Sequence, residues 1–249
     1  MRLIGFDSTW ILLMVVSLVL GLVTQGYINS AYRRWSRVPL SSGLTGAQVA
    51  ERVLGVNGIG VGVGGPTVTG ITGAPRNVRI QPIGGNLSDH YDPRTKAISL
   101  SEGVYGVSSV AAAGVAAHEA GHAVQDARGY VWNRVRTALV PVTNFGSSAA
   151  WVMIFFGLFF GVGSTFGQGI VLLGILFYAF AVLFQIVTLP VELNASKRAL
   201  VSLESSGVLA PAQLGGAKQV LTVAALTYVA AALIAVLQLL YLLGFLRRD

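Results

Sequence analysis

The sequence predicts a mainly α integral membrane protein, with about four transmembrane helices and a small α+β domain. Charged residues occupy 11% of the 249 positions and apolar residues 53%; an ordinary soluble chain carries about 25% charged residues. Four apolar runs are each long enough to cross about 30 Å of hydrocarbon at about 1.5 Å per helical residue. Between the first and second runs lies a stretch of different character, mixing turn residues, strand-like alternation and an Ala-rich helical segment.

The first run, Trp10 to Ile28, is read as an uncleaved anchor. A cleaved signal peptide has a shorter apolar core that ends in a small-residue cleavage site. Arg33, Arg34 and Arg37 follow directly, so residues 1–37 form an anchor with a basic flank. Residues 38–140 read as the globular domain. Thr45-Gly-Ala-Gln48 has the pattern of a capping box opening a helix toward Val53. The Gly- and Pro-rich stretch over 55–75 reads as short strands and turns, because it lacks the GxxxxGK[ST] of a phosphate loop. Asp89 to Pro93 reads as a turn and Ala97 to Leu100 as a strand. Val107 to Arg128, rich in Ala and free of Pro, reads as a helix.

Asn144 to Phe166 and Gly169 to Leu189 read as a transmembrane hairpin (domain 141–190) with its connector near Gly167-Gln168. Pro190 marks a kink or turn. Residues 191–218 form a polar segment, and 219–249 a last span that ends in Arg247 and Arg248. Of the 17 basic residues, 11 lie between Arg33 and Arg136, and Lys197, Arg198 and Lys218 lie before the last span. The positive-inside rule therefore places both polar regions on the cytoplasmic face of a multi-pass protein of the cell (inner) membrane. The net charge of +7 is accounted for by these flanks, so no nucleic-acid partner is expected. With no cysteine in the chain, disulfides and thiolate metal ligands are excluded.

The chemistry lies in Ala117-His118-Glu119-Ala120-Gly121-His122. Residues four apart share one helix face, so His118 and His122 can reach one ion, and Zn2+ accepts such imidazoles at about 2.0–2.1 Å. Glu119 is placed to act as general base on a water. His and Glu are costly in an Ala- and Val-rich helix unless paired or metal-bound. A catalytic zinc wants a third protein ligand and an open position. Three acids are candidates. Asp126 continues the histidine face but is short and suits a bond to a neighbour. Glu204 suits a solvated loop. Glu192 sits just past an apolar run, on the side of His118, where a lone carboxylate needs a partner; it is the favoured third ligand. His90, Asn194, Ser196 and Arg198 are candidates for orienting the ligand histidines or stabilising an oxyanion. A free strand edge at Ala97 to Leu100 could align an extended peptide.

DHYDP, VAAHEAGHAVQ, LPVELNASKRAL and AKQVLTVAALTYVAA, in this order, resemble the bacterial neutral zinc metallopeptidases of the YugP-like membrane type, from about Gly43 to the last span. The layout is similar to that of the HtpX-like and CAAX-type membrane zincins, in which a Glu on a later helix completes the zinc site. The resemblance implies a zincin-like domain, Glu192 as that Glu and a peptide or protein substrate; membrane-protein quality control is the role that would suit this layout. Those relatives often carry ExxxD; the corresponding position here is Ser196, and either Ser196 or Asn194 is expected to replace the Asp. Two rival readings are a site-2-type intramembrane protease and a non-catalytic zinc scaffold or adaptor.

Overall fold

A computed structural model describes residues 7–62, 77–161 and 164–246. The elements are α1 (Ser8–Ser36), α2 (Gly46–Val56), β1 (Gly60–Val61), β2 (Asn77–Ile83), β3 (His90–Asp92), β4 (Ala97–Ser101), α3 (Glu102–Tyr105), α4 (Val110–Ala127), α5 (Val131–Phe159), α6 (Thr165–Ser205) and α7 (Pro211–Leu246). Helices α1, α5, α6 and α7 are long and apolar enough to cross a membrane, so the chain is the mainly α membrane protein the composition requires. The expectations for residues 63–75, and the charges of Arg2, Arg76, Arg247 and Arg248, lie outside the described residues.

Residues 25–134 and 190–226 form one compact unit. Its sheet has the order β1-β2-β4-β3, with β1, β2 and β4 parallel and β3 antiparallel on the edge. The Thr45 capping box forms as its sequence requires: the Thr45 side chain accepts from Gln48 N–H and the Gln48 side chain from Thr45 N–H. It starts α2 so that Val49, Val53 and Leu54 pack inward. They meet Ile98 and Leu100 of β4 and the Ala-rich α4, all in one buried cluster. Helix α4 is central and buried over most of its length, and small side chains are what allow neighbours to approach it from several sides.

The second unit holds residues 1–24, 135–189 and 227–249. Small residues let its helices approach, as expected where lipid supplies little hydrophobic drive. A Cβ on Gly174 would come within 2.9 Å of the Ala150 carbonyl, and one on Gly157 within 2.7 Å of the Gly167 carbonyl. Trp10 stacks against Trp151 and Tyr241, and the Tyr178 hydroxyl donates to Gln238 Oε1. Leu18 and Leu22 of α1 remain largely exposed, as lipid-facing side chains do.

Several boundaries differ from the sequence reading. Asp89 to Pro93 is not a turn: His90–Asp92 is strand β3, paired with Ala97–Ser99. The turn comes after it, where Asp92 accepts from Arg94 N–H and the Thr95 hydroxyl, and Lys96 takes φ +52°. Consequently β3 is the edge strand on this side of the sheet, and Ala97 to Leu100 lies between β2 and β3. Helix α4 starts at Val110, not Val107, because the Ser109 side chain caps Ala112 N–H. The hairpin turns before Gly167: Gly161 takes φ +85° and the Ser164 hydroxyl accepts from Gly167 N–H at the head of α6. Of the two readings for Pro190, kink or turn, the turn is excluded, because α6 runs through it to Ser205. An interior Pro costs about 3 kcal/mol. Burial of Val191, Ala195, Ala199 and Leu203 beyond it outweighs that cost, since each large apolar side chain contributes about 1.5–3 kcal/mol.

Candidate metal centre

Helix α4 is held at both ends. Ser109 caps its start, and its finish is a Schellman motif: Gly129 takes φ +62°, with Tyr130 N–H donating to Gln125 C=O and Gly129 N–H to Asp126 C=O. The spacing of four then stacks the His118 and His122 rings, their centroids 4.7 Å apart. Glu192 enters from α6, with Oε2 3.2 Å from His118 Nε2 and 3.6 Å from His122 Nε2. The edge of a tetrahedron with metal bonds of about 2.05 Å is about 3.3 Å, so the two Glu192–His separations match those between ligands on one ion. The three donors lie within 4.8 Å of one another. Two imidazole nitrogens and one carboxylate oxygen, with no fourth ligand among the described residues, fit a zinc site that keeps an open position.

Gly121 explains how Glu192 comes so close. A Cβ there would lie 2.6 Å from the Ala195 carbonyl oxygen of α6. The contact is backbone against backbone, so no side chain can yield. Gly121→Ala is expected to push α6 away from α4. Overpacking of this kind costs about 1–3 kcal/mol. Thermal unfolding should report that loss, and chelator competition a weaker zinc affinity in the same variant. Unchanged values for both would show that the helices can separate without cost.

Each ligand ring is held through its other nitrogen. His118 Nδ1 lies 3.2 Å from the Ser196 hydroxyl, and His122 Nδ1 3.1 Å from Gln125 Oε1. Gln125 Nε2 donates to the Val191 carbonyl at 2.7 Å and to Asn194 Oδ1 at 3.0 Å, and Arg198 Nε donates to the same Asn194 oxygen at 2.7 Å. Glu192 and Ser196, one turn apart on α6, therefore grip opposite sides of the His118 ring. Asp126 is not in the cluster: it accepts from the Tyr91 hydroxyl at 2.6 Å and pairs with Lys96 at 2.7 Å, fastening β3 to α4. Glu204 is exposed. His90 is exposed on β3, with Nδ1 2.8 Å from the Ser88 carbonyl. A carbonyl only accepts, so Nδ1 carries the proton and a neutral His90 can only accept at Nε2.

Glu119 is buried beside this cluster. Burial pushes its carboxyl up to about 7; the Glu192 and Asp89 charges add to the rise, while His118 and the Tyr91 backbone N–H oppose it. The folded pKa is raised, so the folded state binds the extra proton and stability falls as pH rises from about 4.5 through about 7. A shift from 4.5 to about 7 corresponds to on the order of 3 kcal/mol. Metal-free protein should therefore unfold at lower temperature at pH 8 than at pH 5, with Glu119→Gln removing most of the difference. A wild-type pH dependence retained in the variant would assign the effect to another group.

Gln125 and Tyr91 were not among the residues the sequence singled out. Gln125 has a signal of sorts, being one turn beyond His122 on α4; Tyr91 has none, because what meets Glu119 is its backbone N–H, which almost any residue carries.

A family model described as "Putative neutral zinc metallopeptidase" matches residues 10–247. The chain is also 38% identical over 231 residues to the "Putative membrane protease YugP" of Bacillus subtilis (strain 168), covering 93% of each chain. No solved structure matches it.

Proposed function

The chain belongs to the neutral zinc metallopeptidase family, and on that premise we propose that it is a membrane-embedded zinc metalloendopeptidase. The observation that carries this reading is the convergence of His118 Nε2, His122 Nε2 and Glu192 Oε2 beside the buried Glu119. When bound there, zinc lowers the pKa of a water and polarises the scissile carbonyl. Glu119 takes the proton of the attacking water and later gives it to the leaving amine. Burial favours this shuttle, since a carboxyl raised toward neutrality both accepts and returns a proton readily. Edge strand β3 runs beside the site, with its Tyr91 backbone N–H on Glu119. His90, exposed on that strand, donates to an oxyanion only as the imidazolium; Arg198 is the other donor for that role, from the polar side of α6.

The helix carrying His118 is not among the four candidate spans, which argues against the site-2-type reading. A structural zinc closes all four positions with protein ligands; three gather here among the described residues, which argues against a scaffold. The basic flanks support a multi-pass protein of the cell (inner) membrane with the site on the cytoplasmic face. There, the substrates would be unfolded or membrane-derived polypeptides and the role quality control. The test is cleavage of an unfolded protein by the purified full chain in detergent. Activity lost on chelation and restored by zinc supports the reading; stoichiometric zinc without cleavage of any polypeptide tried returns the weight to a scaffold.

A further inference from the structure

Gln125 is fully buried three residues beyond His122, between Val124 and Asp126 on α4. A buried amide is retained when each of its polar atoms has a partner. Here the partners also decide which way the amide points. The Val191 carbonyl, 2.7 Å away, can only accept, so the amide atom facing it is the nitrogen. Arg198 Nε–H can only donate, so the Asn194 atom 2.7 Å from it is the oxygen. That oxygen takes the second hydrogen of the Gln125 amide at 3.0 Å. Both amides are thus oriented by groups without a choice, a carbonyl at one end and a guanidinium at the other. The remaining atom, Gln125 Oε1, faces His122 Nδ1 at 3.1 Å and can only accept.

We infer that Gln125 is a positioning residue that holds the proton of His122 on Nδ1 and leaves the Nε2 lone pair for the metal. The inference rests on the zinc reading of the site. The same amide also fixes the α6 backbone at Val191, the residue before Glu192, so one side chain sets two of the three ligands. His118 has no such lock. Its Nδ1 faces the Ser196 hydroxyl, which donates or accepts equally well. The two ligand histidines are therefore unequal: His122 is pre-set before the ion arrives, and His118 adapts to it.

The test uses full-length protein in detergent with zinc alone as probe. Gln125→Met keeps the length and bulk of the side chain but cannot accept from Nδ1–H. Competition with a chromophoric chelator should give a zinc Kd about 10–100-fold weaker than wild type. Equal Kd values would overturn the inference while leaving the zinc site intact. Wild type that binds no zinc would overturn both, so the two failures are distinguishable. A second measurement needs no variant: with three histidines in the chain, 15N NMR of zinc-loaded, histidine-labelled wild type can resolve each ring. A slowly exchanging proton on His122 Nδ1 with the metal on Nε2 is expected. Zinc on Nδ1 of His122 would overturn the assignment even if Gln125→Met does not fold.

Discussion

Glu119→Gln is expected to bind zinc as wild type does and to hydrolyse peptides about 10²–10⁴-fold more slowly, the usual contribution of a general base. The two halves of this result have separate causes. Zinc binding should survive because the proposed ligand donors are His118, His122 and Glu192. Glu119 is one residue on from His118, so its side chain leaves α4 about 100° around the helix from that ligand. The amide also keeps an oxygen for the Tyr91 backbone N–H, so the strand that faces the site is not released. Hydrolysis fails because the amide cannot take a proton from water. Single-turnover cleavage, with zinc content measured on the same samples, separates the two. A variant that cleaves within tenfold of wild type would remove Glu119 from its role.

Legibility in the sequence followed the range of the interactions. The HExxH spacing and the Thr45–Gln48 box are patterns within one helix turn, and both form as written. Membrane spans are legible because a run of about twenty apolar residues matches the thickness of the hydrocarbon core and exceeds what a buried soluble helix usually carries. Glu192, 74 positions from His118, could be argued only from its place after an apolar run and from family resemblance. The rest was hidden where tertiary contacts decide. Strand β3 is three residues long and exists because β4 pairs with it; by itself Asp-His-Tyr-Asp-Pro has the composition of a turn. Pro190 is a helix stop by its own chemistry, and α6 passes it because the residues beyond are buried. Gln125 in a local reading is one polar residue on an Ala-rich helix. Its meaning comes from Val191 and Asn194 on another helix.

Replacing Glu192 is expected to abolish zinc binding in the micromolar range and to lower the stability of the metal-free fold. Glu192 is 2% exposed and places one oxygen against two imidazoles. Without it, two histidines remain, and the site falls below the three protein ligands of a catalytic zinc. The loss should exceed the 10–100-fold typical of residues that only orient a ligand. Stability should fall as well. Glu192→Leu removes one partner of a buried cluster and leaves two imidazoles facing an apolar side chain, and breaking a buried pair in this way costs about 3–5 kcal/mol. Metal-free Glu192→Leu should therefore unfold below the wild-type temperature, and only wild type should gain stability on adding zinc, as a ligand that binds the native state alone requires. Asp126→Asn and Glu204→Gln, the other two acids the sequence offered, should each keep stoichiometric zinc. The Asp126 carboxylate is engaged by Tyr91 and Lys96, so its loss would loosen β3 and slow cleavage without releasing the ion. Zinc retained by Glu192→Leu but lost from Asp126→Asn would exchange the two carboxylates and require α4 alone to supply the third ligand.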